Sequence, residues 1–461
     1  MSDFDLVDAA DGSLPVHLVP ASGLADWLAE QPETVRNWLD GRTSAMTAGA
    51  WARLPDAAGR STGTLHVVSD TPDMWSIAGL QAKLKDGVHH LDLSAVKDPD
   101  PTALATGWAL GTYRFDRYLK PDDKIPTAKL VWPEGADRDM TGAMAEGIML
   151  SRNLINTPAD DMGPSELEAA ALALAERFGG TARSVVGDEL LTGNFPMIHA
   201  VGRASDDPPR LVDLTFGDEA LPKVTLVGKG VCFDTGGLDL KPASGMELMR
   251  KDMGGAGTAL GLAHVLLATG APIRLRVLLP MVENAVSGNA YRPGDILKTR
   301  KGLTVEIGNT DAEGRLILGD ALTLASEENP ALLIDFATLT GAARVAVGTE
   351  IAAYFTASDE LGDEMMHAGR SAGEDVWRLP MHDGYRHLLN SPFADINNAG
   401  SGRFAGATTA ALFLKEFVAE PKNWLHFDIM AWNSRARPGR PKGGEAMGLR
   451  AVHRLIMDRF G

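Results

Sequence analysis

The fold is decided by residues 224–237, which read VTLVGKGVCFDTGG. The first four residues are apolar or β-branched, and such a run favours a strand covered on both faces of its sheet. The glycines that follow let the backbone turn tightly, and the charged residues Lys229 and Asp234 lie among them. Active sites of open α/β sheets lie beyond the carboxyl ends of the strands. The stretch therefore predicts a central strand with a functional site at its end.

Similar apolar runs recur after about residue 140 and alternate with helical patterns. Strands are predicted at residues 211–216, 224–227, 273–279, 303–307, 332–336 and 424–429. One helix between them is expected to begin with a capping box formed by Ser165 and Glu168. Strands and helices that alternate over roughly 300 residues predict an α/β fold, here a three-layer catalytic domain with a central mixed sheet.

The first 120 residues carry weaker patterns. Short strands and one helix are predicted there, at residues 65–68, 90–93 and 102–119. Residues 121–126, which read PDDKIP, are typical of a linker. We therefore predict a smaller N-terminal accessory α/β domain at residues 1–138 and a catalytic domain at residues 139–461.

Charge and composition exclude several classes of protein. The 461 residues include 61 Asp and Glu against 44 Lys and Arg, and the net charge of −17 disfavours nucleic acid or an anionic membrane as the main partner. Cys232 is the only cysteine, which excludes an intramolecular disulfide and a cysteine metal cluster. The first residues lack the pattern of a secretory signal, and no apolar run approaches the roughly 20 residues that span a bilayer. We expect a cytoplasmic protein.

A second charged cluster, NTDAEGRL at residues 309–316, also follows a predicted strand. Asp311, Glu313 and Arg315 alternate along it, so an extended backbone would project all three side chains from one face. Two carboxylates and a guanidinium would then share a small volume.

Asp234 and Asp252 of the first cluster would add two more carboxylates if both clusters met in one cleft. Their mutual repulsion would raise several pKa values unless cations neutralised them. Two divalent metals about 3.5–4 Å apart, bridged by a carboxylate, are the usual arrangement. Oxygen ligands suit Mn²⁺, Zn²⁺, Mg²⁺ or Co²⁺.

The run at residues 309–316 resembles the signature of the leucyl aminopeptidases, the cytosol aminopeptidase family. Seven fixed residues arise by chance on the order of 10⁻⁹ per start position, so the motif is specific. Further matches cover most of the chain after residue 145 and lie at residues 152–158, 227–231, 233–237, 337–342 and 394–398. The first 140 residues correspond to the family's N-terminal domain only by position. The resemblance implies a two-metal enzyme that removes N-terminal residues from peptides.

The resemblance also implies the metal ligands. They would be Lys229, Asp234, Asp252, Asp311 and Glu313. Asp234 and Glu313 would bridge two ions. We expect these ions to be Mn²⁺ or Zn²⁺, with Mg²⁺ or Co²⁺ as alternatives. A lysine can join such a site when its amine is neutral, which burial beside cations favours.

Two further groups would be catalytic by the same resemblance. Lys241 would stabilise the tetrahedral oxyanion. Arg315 would hold a bicarbonate ion that acts as the general base, and backbone groups of Ala312, Gly314 and Leu339 would complete the cradle of this anion.

Met249, Thr338 and Gly341 would line the pocket for the substrate's first side chain, and this lining favours an apolar residue such as Leu or Met. Lys251 precedes Asp252 at a position where an aromatic residue is common in the family. The resemblance further implies a homohexamer built as two trimers.

Three other interpretations agree less well with the sequence. A non-catalytic scaffold with the same fold would be expected to lose ligands, whereas this chain keeps all seven metal-binding and catalytic positions. Nucleic-acid binding as a side activity conflicts with the net charge. Residues 369–373, GRSAG, fit the nucleophile elbow of serine hydrolases, but that elbow joins a strand to a helix and the order predicted here is the reverse.

Overall fold

The computed structural model describes residues 4–9, 11–42, 45–120 and 127–461. The chain forms two compact units, residues 1–145 with 435–442 and residues 146–434 with 443–461. The predicted linker, residues 121–126, lies outside the described residues. The two units divide after Ala145, and a domain boundary at residue 138 stays a prediction.

Within its described residues, the N-terminal unit is a sheet with short helices. Its strands are β1 (Leu6–Val7), β2 (Leu14–Pro20), β3 (Trp51–Pro55), β4 (Ser61–Val68), β5 (Gly87–Asp92) and β6 (Ala128–Val131), and its helices are α1 (Leu24–Ala29), α2 (Glu33–Leu39) and α3 (Pro101–Gly111). The sheet order is β1-β6-β5-β2-β4-β3, and its described pairs are parallel except β3–β4. The predicted strands at 65–68 and 90–93 fall in β4 and β5.

Helix α3 is shorter than predicted, because it ends at Gly111 rather than near residue 119. Both the backbone N–H and the hydroxyl of Thr112 donate to the carbonyl of Ala109, at 3.1 and 2.8 Å. This tight closure ends the helix, since side-chain hydrogen bonds of this kind compete with the helical ladder.

The second unit carries the central sheet. Its strands are β7 (Thr181–Val186), β8 (Arg210–Phe216), β9 (Lys223–Gly228), β10 (Gly230–Asp234), β11 (Arg274–Asn284), β12 (Ile296–Lys298), β13 (Thr304–Glu306), β14 (Leu332–Ala337), β15 (Ala352–Phe355), β16 (Val376–Arg378), β17 (Ile396–Asn397), β18 (Trp424–Asp428), β19 (Trp432–Asn433) and β20 (Gly443–Gly444). The central order is β16-β15-β18-β14-β9-β11-β8-β7, with β10 paired to β11. Strands β9, β10, β11, β14 and β18 run parallel. Strand β8 is antiparallel to both of its neighbours, whereas β15 is antiparallel to β18 and parallel to β16.

Helices alternate with these strands. They are α4 (Arg138–Asn156), α5 (Pro164–Arg177), α6 (Glu189–Thr192), α7 (Pro196–Gly202), α8 (Ala243–Met246), α9 (Gly254–Ala268), α10 (Gly314–Glu327), α11 (Gly341–Val347), α12 (Asp359–Ser371), α13 (Gly406–Lys415) and α14 (Leu449–Phe460). Every residue of β14 and β18 is buried, which requires cover on both faces of the sheet. The predicted α/β class with a central mixed sheet is confirmed.

The strand predicted at 303–307 is confirmed as β13, which pairs with β12 and β17 in a separate small sheet. The predicted capping box was wrong. Helix α5 starts at Pro164, so Ser165 is already inside it. In a capping box, a side chain in the first turn accepts a hydrogen bond from the backbone N–H of the N-cap residue. Here Glu166 makes this bond, because its carboxylate accepts from the Gly163 N–H at 3.0 Å.

A buried ion pair connects the two ends of the second unit. The Arg152 side chain is fully buried, and its Nε and Nη2 donate to the two carboxylate oxygens of Glu445 at 3.1 and 3.0 Å. Asn433 also donates to Glu445, at 2.7 Å. Because burial removes the water that would otherwise solvate Arg152, its charge depends on this carboxylate.

Glu445→Ala is therefore expected to lower the free energy of unfolding by about 3–5 kcal/mol, since it removes the buried carboxylate that pairs with the fully buried Arg152. The exposed pair Arg454–Asp458 provides a control in the same unit, and Asp458→Ala should change stability by about 1 kcal/mol or less. Urea unfolding measures both. Equal losses in the two variants would contradict the assigned role of the buried pair.

Candidate active site

The site lies at the carboxyl ends of parallel strands. Lys229 follows β9, Asp234 ends β10 and Thr338 follows β14. Asp252 lies in a 3₁₀ turn, Met249–Met253, directly before α9. The prediction that charged residues collect at this edge of the central sheet is confirmed.

Close backbone packing brings these elements together. A Cβ on Gly255 would lie 2.1 Å from the carbonyl oxygen of Phe336, and one on Gly228 would lie 2.6 Å from the Cα of Ala256. The Lys229 N–H donates to the Phe336 carbonyl and the Ala256 N–H to the Lys229 carbonyl, at 2.9 and 2.8 Å. The glycines thus let the start of α9 rest directly on the strand ends, and this fixes the backbone of Lys229.

The second cluster does not have the extended backbone that the sequence suggested. The chain turns at Thr310–Asp311, and Glu313 has helical dihedral angles at the start of α10. Asp311, Glu313 and Arg315 nevertheless all border one cavity of about 470 Å³. The three side chains therefore converge because a turn is followed by the start of a helix, and not because they alternate along a strand.

The same cavity gathers most of the predicted site residues. Those that line it are Lys229, Asp234, Lys241, Met249, Asp252, Asp311, Ala312, Glu313, Arg315, Thr338, Leu339 and Gly341. Gly314 does not line the cavity but lies behind it, where its Cβ would be 2.5 Å from Cε of Lys229. The roles assigned to these residues stay predictions.

Three buried carboxylates meet at the floor of the cavity. Asp234, Asp252 and Glu313 offer oxygens that all lie within 4.8 Å of one another. Nζ of Lys229 lies 2.6 Å from Asp252 and 2.9 Å from Glu313. Nζ of Lys241 lies 2.7 Å from Asp234.

These charges shift one another's pKa values. Burial, reinforced by the carboxylate of Asp234, raises the pKa of Glu313 to about 8. Burial and the same neighbour raise the pKa of Asp311 to about 6. Burial opposes the charged form of Asp252, yet Lys229 lowers the pKa of this carboxyl to about 2. Glu313 and Asp311 therefore favour the protonated form more than exposed carboxyls do, whereas Asp252 favours the charged form.

This donor set fits a divalent metal. Oε2 of Glu313 is buried and accepts no hydrogen bond from the described residues, and an orphaned buried oxygen is unfavourable unless a cation or donor satisfies it. Carboxylate oxygens are ligands that Mn²⁺, Mg²⁺ and Zn²⁺ accept.

Arg315 also borders the cavity. Its guanidinium is buried, and burial lowers its pKa to about 10. Nη1 donates to the carbonyl of Asn398 at 2.6 Å, whereas Nε has no hydrogen-bond partner among the described residues. The N–H of Leu339, a predicted part of the anion cradle, donates to Asp428 at 3.1 Å.

Sequence reasoning missed two residues that orient the site. Asp428 ends β18 and accepts from the Leu339 and Thr340 N–H groups and from the Thr340 hydroxyl, at 3.1, 2.9 and 2.6 Å. Asn284 ends β11 and donates to Asp234 at 2.9 Å. Both lie at carboxyl ends of strands, and that position was the available signal.

The nucleophile elbow is excluded by its surroundings. Residues 369–371 are the end of helix α12, and the chain turns at 372–373 before strand β16, the reverse of the strand–turn–helix order that the motif needs. Ser371 is exposed, and its hydroxyl lies 3.5 Å from Nε2 of His367. The reversed order predicted from the sequence is confirmed, although the motif itself is mostly helical and not a loop.

Comparison with known proteins now identifies the family. Residues 149–453 match the catalytic domain of the cytosol aminopeptidase family, and residues 14–133 match the N-terminal domain of the M17 aminopeptidases. The chain belongs to the cytosol aminopeptidase family. The N-terminal match goes beyond the sequence analysis, which related this region to the family only by position.

Named relatives and solved structures agree. A probable cytosol aminopeptidase of Roseiflexus castenholzii is 39% identical over 372 residues, which cover 77% of this chain and 76% of that one. The crystal structure of the cytosol aminopeptidase of Coxiella burnetii has a TM-score of 0.94 at 43% identity and covers 99% of this chain and 100% of its own. The bottromycin maturation enzyme BotP in complex with Mn has a TM-score of 0.85 at 32% identity, with 98% and 100% covered. This protein is thus a metal-dependent aminopeptidase, a hydrolase acting on peptides.

Among the described residues, no helix is long and apolar enough to cross a bilayer.

Gly314→Ala in this aminopeptidase should displace Lys229, because the new Cβ would meet Cε and Nζ at 2.5 and 2.7 Å. We expect lower metal content and lower peptidase activity in a folded protein. Gly288→Ala is the matched control, since no atom lies within 4 Å of its added Cβ. Metal analysis and circular dichroism check both variants. Unchanged metal content in Gly314→Ala would show that Lys229 tolerates the shift.

Proposed function

We propose that this aminopeptidase removes the N-terminal residue, preferably Leu or Met, from peptides at a centre of two divalent metals. The observation that carries the proposal is the meeting of Asp234, Asp252 and Glu313 in one buried cluster at the sheet edge. Buried carboxylates without enough cations are unfavourable, so a cluster of this kind is typical of a metal site.

Five residues would hold the metals. They are Lys229, Asp234, Asp252, Asp311 and Glu313, with Mn²⁺ or Zn²⁺ as the ions we favour and Mg²⁺ or Co²⁺ as alternatives. When bound, the ions would polarise the scissile carbonyl, lower the pKa of the attacking water and hold the free α-amine of the substrate. The need for a free amine accounts for exopeptidase specificity.

Lys241 would donate to the oxyanion that develops on the scissile carbonyl. Its ammonium contacts Asp234 and Asp311 at the cavity wall, so the cation is held in place before the reaction. A fixed cation at the position of developing charge stabilises the transition state without reorganisation.

Arg315 would hold a bicarbonate ion, whose chemistry when bound is that of a general base. The unpartnered Nε of the buried guanidinium supports this role, because charge-assisted hydrogen bonds to an oxyanion would satisfy it. Backbone groups of Ala312, Gly314 and Leu339 would complete the cradle, and the Leu339 N–H would have to be shared with Asp428.

Met249, Thr338 and Gly341 would bound the pocket for the first side chain. The Thr338 hydroxyl donates to Asp252 at 2.8 Å, so this wall is tied to a proposed metal ligand. An apolar wall discriminates by only about 1–3 kcal/mol per methylene, so several apolar first residues would be cleaved.

We also propose a cytoplasmic homohexamer built as two trimers. Family resemblance supports both parts, and the names of the relatives, cytosol aminopeptidases, support the location only. Large apolar side chains exposed in the catalytic unit, such as Val345, Phe393 and Phe404, are consistent with surfaces that meet other subunits.

Ligand and catalytic variants should behave differently. Glu313→Ala and Asp234→Ala should abolish both activity and metal binding, because each removes a proposed bridging ligand. Lys241→Ala should lower kcat by about 10²-fold or more, by analogy with oxyanion-stabilising groups, with the metals retained. Metal analysis beside steady-state kinetics separates the two classes. Metal loss in Lys241→Ala would contradict its assigned role.

The function itself is tested by release of free amino acid from Leu- and Met-initiated peptides, with N-acetylated peptides as controls. Activity should disappear on chelation and return on addition of Mn²⁺ or Zn²⁺, and acetylated peptides should not be cleaved. Absence of cleavage by protein that demonstrably carries metal would favour the scaffold interpretation.

A further inference from the structure

Two cationic side chains of the active-site cavity make no hydrogen bond to the carboxylate cluster. Lys251 lines the cavity and is only 1% exposed, yet its Nζ has no hydrogen-bond partner among the described residues. The carboxylate oxygen within ion-pair range is Oδ1 of Asp252, 3.6 Å away, which is beyond hydrogen-bond distance. A buried donor without an acceptor is unfavourable, so the position of Lys251 requires an explanation.

Arg344 is the second cation. It lines the same cavity, and the contact of its Nη1 is the sulfur of Met430 at 3.7 Å. Among the described residues, no carboxylate lies within ion-pair distance of this guanidinium. A sulfur atom is a weak acceptor, so most of the hydrogen-bonding capacity of Arg344 remains available.

Both cations lie beside the pocket for the first side chain. Nζ of Lys251 and the hydroxyl of Thr338 approach the same oxygen of Asp252, at 3.6 and 2.8 Å. Nη2 of Arg344 lies 3.5 Å from the position that a Cβ on Gly341 would occupy. Thr338 and Gly341, two of the three proposed wall residues, thus each lie close to a cationic side chain.

We propose that Lys251 and Arg344 bind a side-chain carboxylate on the first residue of the substrate, so that peptides beginning with Glu are substrates of this aminopeptidase beside those beginning with Leu or Met. The inference rests on the proposed function of the same cavity. The methylene groups of Glu would contact the apolar wall at Met249, and its carboxylate would satisfy donors that are otherwise unpaired. A guanidinium and an ammonium together suit a carboxylate in both geometry and charge.

The C-terminal carboxylate of a very short peptide is the other source of the same chemistry. The geometry favours the carboxylate of the first side chain, because both cations lie next to wall residues of the pocket for that side chain. Peptides with an amidated C-terminus remove the second source, and the test therefore uses them.

The experiment compares kcat/KM of the Mn²⁺-loaded full-length enzyme for amidated tripeptides that differ only in the first residue, Glu, Gln or Leu. Glu and Gln have the same shape and differ in charge, so their ratio isolates recognition of the carboxylate. The wild type should prefer Glu over Gln by about tenfold or more, as expected for a charge-assisted hydrogen bond.

Lys251→Met and Arg344→Met should each reduce the Glu-to-Gln ratio by about tenfold. The ratio is read within each variant, so a general loss of activity or metal in Lys251→Met cancels, and Arg344→Met provides an independent measurement. Lys422→Met and Arg183→Met remove exposed cations elsewhere in the same unit and should leave the ratio unchanged.

Several results would overturn the inference. If Leu peptides are cleaved but Glu is no better than Gln, or if neither variant changes the ratio, the inference is wrong while the proposed function stands. If Lys251→Met and Arg344→Met leave the Glu-to-Gln ratio unchanged but slow cleavage of tripeptides with a free C-terminus more than that of amidated ones, the cations bind the C-terminal carboxylate instead. If no peptide is cleaved with metal bound, the proposed function fails and this inference fails with it.

Discussion

The catalytic unit depends on holding buried carboxylates against Lys229 at the edge of the central sheet. Removing these charges from water is unfavourable by several kcal/mol for each ion unless opposite charges lie close. The ammonium of Lys229 meets Asp252 and Glu313 at hydrogen-bond distance. Such contact is possible because Gly255 and Gly314 leave no Cβ between the backbones that carry these groups.

The same constraint links the site to the rest of the fold. The proposed ligands come from strand ends, from the turn before α9 and from the start of α10, so regular secondary structure supports each of them. Asp428 and Asn284 extend this support, since they fix the loop after β14 and the carboxylate of Asp234. A site built from rigid elements can hold catalytic groups in place before the substrate binds.

Much of this arrangement could be predicted. The apolar runs at 224–227 and 332–336 are central strands, since continuous burial on two faces leaves a clear pattern in the sequence. The weaker elements were mispredicted where local hydrogen bonds decided the outcome. Thr112 ends α3 early, Glu166 rather than Glu168 caps α5, and residues 435–442 join the N-terminal unit without any sign in their composition.

The sequence by itself determined the fold class, the family and the set of charged residues near the strand ends, because these follow from hydrophobic pattern and from a specific motif. Only the tertiary structure decided how the charges meet. The turn at Thr310–Asp311 and the helix start at Glu313 replace the expected extended face. Lys251 and Arg344 join the cavity through packing between segments far apart in sequence. Contacts of this kind depend on distances in space, which residue spacing does not encode.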